Sequence, residues 1–160
     1  PICGTLAGTT RYLKEKNANI VTACADPHGF AMYEWFKNGV VKSTPGDSIT
    51  EGIGIGRVTP VIETAKVDTA FLISDEEAVS IVFDLTEHEG LCLGGSSGVN
   101  VAGAIRLAKQ MGPGHTIVTI LCDSGTRSLS KLYNPEFMRS KNLPVPAWLE
   151  KRTKIDVPFI

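Results

Sequence analysis

Four glycine- or serine-rich loops carry the residue types best suited to chemistry in this chain. Cys3-Gly4-Thr5 opens a stretch, Thr5 to Lys16, in which Leu6, Thr9 and Leu13 recur at helical spacing among polar residues. A small-residue loop at a helix start presents unpaired N–H groups and the positive dipole end, which is half of an anion-binding site. GIGIGR, Gly52 to Arg57, lacks the last glycine of a dinucleotide fingerprint, and SITE, not a strand, precedes it. Its glycines suit close approach of backbone to a ligand. GGSSGVN, Gly94 to Asn100, joins a strand end to a helix start. It reads either as an anion site or as a tight turn with a serine cap. CDSGTR, Cys122 to Arg127, follows the most apolar run. Asp123 and Ser124 either meet a polar ligand at the carboxyl end of a sheet or cap a helix around Ser128 to Leu132.

Nucleophiles and metal ligands are harder to assemble. Lys14, Lys16, Lys109, Lys131, Lys141, Lys151 and Lys154 fall on polar helix faces or in the tail, and Lys37, Lys42 and Lys66 in irregular sequence. None has surroundings that would bury and deprotonate it, so none reads as a Schiff-base lysine. No Ser/His/Asp set is legible. Cys3, Cys24, Cys92 and Cys122 form no C-x-x-C pair, and His28, His88 and His115 are not spaced as companion ligands, so no metal site is expected. Cys24, Cys92 and Cys122 lie in apolar runs, which predicts buried thiols and a reducing, cytoplasmic location.

The elements that must hold these loops follow from apolar patterning. IVTACA (Ile20 to Ala25), AFLI (Ala70 to Ile73), LCLGG and HTIVTILCD (His115 to Asp123) read as strands, the last most clearly, with Asp26-Pro27-His28-Gly29 as a loop. Ser74 to Glu77 fits a capping box, opening a helix with Ala78, Ile81, Val82 and Leu85 inward and Gly90 at its end. A second helix, capped by Ser96 and Ser97, turns Val101, Ala104, Ile105 and Ala108 inward and stops at Gly112-Pro113-Gly114. Phe30 to Asp68 carries seven Gly or Pro residues and should hold little regular structure. From Tyr133 onward the proline-rich sequence predicts one short helix near Glu136 to Lys141 and a surface tail over 133–160.

Strands with almost no polar alternation, separated by helices, predict a single α/β domain over residues 1–160: an open, mostly parallel sheet with helices on both faces. The 160 residues, 42% hydrophobic and 21% charged with net charge −1, fit a globular chain without a nucleic-acid footprint. No apolar run approaches the roughly 20 residues of a membrane span, and no signal peptide is legible.

GTLAGTTRYLKEKN, DSITEGIGIGRVTP, ISDEEAV, GLCLGGSSGVNVAGAIRLA and TIVTILCDSGTR with SLSKLYNPEF, in that order, resemble the cysteine synthase (O-acetylserine sulfhydrylase) family. The resemblance runs from Gly4 to about Trp148. It implies the larger C-terminal part of a fold type II pyridoxal-phosphate enzyme, the tryptophan-synthase β group. It implies cofactor contacts at Cys3, Gly4 and Thr5 in the family's phosphate loop, at Gly52 beside the cofactor, and at Ser124 facing the pyridine nitrogen. Gly4 and Thr5 match that loop's last residues, whereas Pro1, Ile2 and Cys3 replace its earlier ones, and Ser128 stands where Tyr is common. The family's lysine, in a Pro-Ser-x-x-Lys-like context, and its Ser/Thr-Gly-Asn substrate loop are not found in these residues. The resemblance therefore implies that the parent enzyme makes L-cysteine from O-acetylserine and sulfide, while this chain alone is inactive and lacks the N-terminal half as its partner. A homodimer and a serine acetyltransferase C-terminal tail are further implied partners. The alternatives are a non-catalytic module binding such a partner and a piece of a cystathionine β-synthase-like enzyme.

Overall fold

The structure, a computed structural model, describes residues 3–150. Two short strands, β1 (Ala23–Pro27) and β2 (Thr69–Ile73), form a parallel pair in the register Ala23↔Thr69 to Pro27↔Ile73. Their period of two sorts side chains to opposite faces. Cys24 and Ala70 pack with α2 (Met32–Asn38), whereas Ala25, Phe71 and Ile73 pack with α4 (Asp75–Glu89) and α5 (Gly95–Met111). Leu6 of α1 (Gly4–Lys16) and Ile62 of α3 (Pro60–Glu63) join the α2 side. The parallel sheet is as expected, but it is smaller than the sequence predicts.

Three of the four expected strands differ. β1 starts three residues late, because the Asp68 carboxylate accepts the Thr22 N–H at 2.7 Å and the ladder begins beyond it. Asp26 and Pro27 continue the strand instead of forming a loop. LCLGG contributes only an antiparallel bridge, Leu93↔Ser124, since Gly94 already caps α5. Residues 116–122, the most apolar run, are extended yet join no ladder among the described residues.

Helix α2 appears inside the stretch expected to be irregular. Met32, Tyr33, Trp35 and Phe36 give it an apolar side, and Gly39 ends it at φ 69°. In α1 the buried residues are Ala7 and Thr10, and Thr9 faces solvent. Ser74 caps α4 as expected, its Oγ accepting the Glu77 N–H at 3.2 Å. Glu77 does not reach back. Its carboxylate takes two bonds from Arg106, whose third donor meets the Leu72 carbonyl at 2.9 Å, so one guanidinium ties α5 to α4 and β2.

Helix α5 buries a different stripe from the one the apolar pattern predicts. Val99, Ala102, Gly103 and Leu107 face inward, and Ile105 is exposed. The cause is glycine. A Cβ at Gly98 would overlap the Ala78 carbonyl oxygen, and one at Gly103 would stand 2.7 Å from Ala25 Cβ. The helix seats where its backbone can approach closest, not where its bulkiest apolar residues lie.

The stretch after Leu132 folds back on α4. Met138 of α6 (Pro135–Ser140) is fully buried, and Trp148 of α7 (Ala147–Glu150) stacks edge-on against Phe83 at 5.7 Å. Asn134 caps α6 through its side chain. Residues 151–160 of the expected tail lie outside the described residues. No described helix is long and apolar enough to cross a membrane.

Candidate functional site

The carboxyl end of a parallel pair is where its loops converge. Here the loop over residues 48–58 crosses that end from α4 to α2. At one side Asp75 accepts the Ile49 N–H at 2.7 Å, and at the other the Ile55 carbonyl accepts the Ala31 N–H at 2.9 Å. Gly52 lies between these anchors at φ 76°, with nothing within 4 Å of a Cβ built on it. Its backbone is thus both in glycine's own conformation and open to a ligand.

Opposite Gly52 stands the amino end of α5. Gly94 and Gly95 admit two neighbours that a side chain would exclude: the Asp123 carboxylate and the Thr50 methyl, 2.5 and 2.8 Å from the respective Cβ positions. Asp123 accepts the Ser96 hydroxyl at 2.8 Å, and its carbonyl takes the Gly94 N–H at 2.9 Å. An acidic side chain therefore already places negative charge beside this helix end. GGSSGVN forms the turn into α5, with Gly94 and not a serine as the cap residue.

Ser124 follows at once. Its hydroxyl accepts the Thr126 N–H at 3.3 Å and lies 3.0 Å from Thr126 Oγ1, capping a 3-10 turn over Gly125–Ser128. Tyr133 fixes this turn from behind: its hydroxyl donates to the Leu93 carbonyl at 2.8 Å and accepts the Leu93 N–H at 3.2 Å. Burial pushes the phenol up to about 12, so it stays a donor at neutral pH. Gly125 is backed against that ring and the Cys92 sulfur.

A cleft of about 360 Å³ opens between these walls, lined by Thr50, Gly52, Ser96, Asp123, Arg127 and Lys131 among others. Lys131 pairs with Glu51 across its mouth, and this contact draws the Glu51 carboxyl below its usual value. Of the residues expected to hold a cofactor, Gly52 lines the cleft. Ser124 adjoins it through Asp123, and Cys3, Gly4 and Thr5 do not line it.

Those three sit at the amino end of α1. Cys3 adopts φ 54° and ψ 14°, a left-handed conformation that glycine takes freely and cysteine does not. The Cys3 side chain makes no cap bond, and a Cβ at Gly4 would meet nothing within 4 Å among the described residues. The first amides of this 13-residue helix have no intrahelical partner. The strain gives a prediction. Cys3→Val should cost about 2 kcal/mol, because a β-branched residue resists this region more strongly, while Cys3→Gly keeps stability within about 1 kcal/mol. Chemical denaturation of the two variants checks it; equal stability would place Cys3 outside the left-handed region.

Asp26 is a residue that sequence patterning does not single out. It is buried at the carboxyl end of β1, where its carboxylate accepts the Tyr33 N–H of α2 at 2.9 Å. Burial pushes its carboxyl up to about 6 against the pull of the Tyr33 and Met32 amides. Burial, then Asp26, raises the half-buried Cys3 thiol and, more strongly, Cys24. Only an acidic residue ending an apolar run just before a proline could have signalled it, and that pattern also fits a loop. The thiols divide as well: Cys24 is buried as expected, but Cys92 and Cys122 are exposed. Among the described residues no group of His, Cys, Asp and Glu could hold a metal.

Known proteins resemble this chain. The family model described as pyridoxal-phosphate dependent enzyme matches residues 3–123. The chain is 44% identical to cysteine synthase 2 of Schizosaccharomyces pombe over 92% of its own length and 41% of that protein's. It is 40% identical to a cysteine synthase of Dictyostelium discoideum, covering 89% of this chain and 40% of the relative. Among solved structures, the O-acetylserine dependent cystathionine beta-synthase of Helicobacter pylori superposes with a TM-score of 0.70 at 36% identity, covering 81% of this chain and 40% of that one. The chain thus spans about 40% of the length of these relatives. By the match over residues 3–123, it belongs to the pyridoxal-phosphate dependent enzyme family.

Proposed function

We propose that this chain supplies the cofactor-holding part of an enzyme that makes L-cysteine from O-acetylserine and sulfide. The observation that carries the reading is the amino end of α1, entered through the left-handed Cys3, whose side chain makes no cap bond. That geometry suits a phosphate dianion, which would take the first helical amides and the dipole. The open backbone at Gly52 suits a flat ring lying against it. These features fit pyridoxal phosphate, with Gly4 and Thr5 at its phosphate, Gly52 along one side and Ser124 at the ring nitrogen.

Bound there, pyridoxal phosphate would supply the electron sink for loss of acetate and addition of sulfide. This chain's own residues would bind and orient it. The Ser124 oxygen accepts the Thr126 N–H, and with the Thr126 hydroxyl as donor in the contact between the two side chains the Ser124 proton would be free for the ring nitrogen. A neutral partner at that atom favours elimination of a good leaving group over transamination. The described lysines do not fit the role of covalent anchor. Lys14 pairs with Asp68 and Lys131 with Glu51, and the remaining described lysines are exposed. The lysine and the substrate-carboxylate loop belong to the rest of the parent enzyme in this reading. The name of the Helicobacter pylori relative supports O-acetylserine as the first substrate, and the higher identity of the cysteine synthases favours cysteine as the product.

The test uses pyridoxine 5′-phosphate, which keeps the ring and phosphate but cannot react with lysines. Added to isotope-labelled chain, it should give saturable amide shifts at Gly4, Thr5, Gly52 and Ser124. Pyridoxine without the phosphate should leave Gly4 and Thr5 unmoved. Absence of shifts at the α1 amino end would overturn the reading.

A further inference from the structure

We propose that the groove between α4 and residues 144–146 is a docking site for residues 151–160 of the same chain. No residue lining this groove also lines the cleft, so the inference is independent of the cofactor reading.

The groove encloses about 240 Å³. One wall is α4, where Ser80, Asp84 and Glu87 recur at helical spacing as an exposed polar stripe beside the Phe83 ring. The other wall is Pro144-Val145-Pro146. Val145 makes no main-chain hydrogen bond among the described residues, and the flanking prolines have no N–H to give. An extended segment laid alongside can take both the Val145 N–H and its carbonyl. The groove is also acidic. Every charged residue of α4 other than His88 is a carboxylate. Arg106 neutralises Glu77, but Asp84 pairs only with His88, and neither Asp84 nor Glu87 meets a Lys or Arg among the described residues. One polar group is orphaned at this place. The Trp148 ring stacks on Phe83, and its indole N–H is buried without an acceptor among the described residues. Buried indole N–H groups ordinarily have one.

The sequence that comes next has the matching chemistry. KRTKIDVPFI follows Glu150 directly, just after Trp148 anchors the chain on Phe83. Lys151, Arg152 and Lys154 outweigh Asp156, which complements Asp84 and Glu87. Ile155, Val157 and Phe159 recur with a period of two, which gives an extended chain one apolar face. That face fits the Phe83 ring and Val145, and the segment's carbonyls offer the Trp148 N–H its acceptor. Length allows it: ten extended residues reach up to about 33 Å, against about 22 Å for the 15 residues of α4. The tether also holds the segment at an effective concentration on the order of millimolar, which favours it over a free partner of the same composition.

Hydrogen–deuterium exchange on the full 160-residue chain tests this. Amides of residues 153–159 should exchange about tenfold or more slowly than in a free peptide of residues 151–160. Asp84→Lys with Glu87→Lys, both at exposed positions, should abolish that protection. Lys151→Glu, Arg152→Glu and Lys154→Glu together should abolish it as well. Combining the two sets exchanges the charges across the groove and should restore protection, which damage to the fold would not allow. Fast exchange in the original chain, protection indifferent to the α4 charges, or failure of the combined variant to restore it would overturn the proposal. So would protection that rises with protein concentration alongside dimer formation, since a second copy would then be the occupant.

Discussion

Gly98→Ala should lower the stability of this chain by about 3 kcal/mol, seen as a fall of about 10 °C in the unfolding midpoint. The added methyl would overlap the Ala78 carbonyl oxygen and stand 2.8 Å from Val82 Cγ2. Both neighbours belong to α4, whose backbone and buried Val82 are held by packing and cannot turn aside as a surface side chain would. Relief requires α5 to lift from α4, and α5 also presses Gly103 onto β1 and, at its amino end, sets Gly94 and Gly95 against Asp123 and Thr50. The helix propensity of alanine returns only about 1 kcal/mol of the loss. Gly8 supplies the control. It is an exposed helical glycine in α1 with nothing within 4 Å of its Cβ position, so Gly8→Ala should raise stability by about 0.5–1 kcal/mol. Thermal unfolding of the pair by circular dichroism checks both signs. A Gly98→Ala chain as stable as the original would refute the close approach of the two helices.

Asp26→Asn should remove about 3 kcal/mol of pH-dependent destabilisation between pH 4 and pH 7. Burial holds the Asp26 carboxyl at about 6 in the folded chain, against 3.8 when exposed. Between those values the folded state binds more protons than the unfolded state, so stability falls as pH rises. Each pH unit of that interval costs about 1.4 kcal/mol, which sets the magnitude. The penalty is absent below pH 4 and complete above pH 6. Asparagine can accept the Tyr33 N–H with its oxygen and does not titrate, although its amide hydrogens need partners. The offset between variant and original therefore has either sign, but its change with pH does not. The variant's stability relative to the original should rise by about 3 kcal/mol from pH 4 to pH 7. Taking this difference cancels the other carboxylates, including Asp68 beside Lys14. Urea unfolding across the range measures it, and a flat difference would refute a buried, proton-retaining Asp26.

Sequence signals are legible where local chemistry decides. Ser74 before an acidic first turn and Gly90 after an amphipathic run mark both ends of α4. Gly94 to Asn100 and Asp123-Ser124 carry the marks of loop-to-helix junctions, and both flank the cleft. Helix α2 is hidden because glycines and prolines on either side mask a seven-residue apolar pattern. The inward face of α5 escapes the apolar pattern because residue size, not apolarity, selects the seat of a helix against another backbone.

Residue order along the chain is enough to mark the family, the helices α4 and α5, and the candidate positions Cys3, Gly4, Thr5, Gly52 and Ser124. These depend on residue types in order along the chain. It takes the folded chain to place the Asp123 carboxylate beside the amino end of α5, to hold Cys3 left-handed and to bury Asp26. Each depends on which segments approach in space. The run HTIVTILCD shows the difference most plainly. Its apolar residues specify burial in a sheet, but a strand exists only when a neighbour pairs with it, and among the described residues none does.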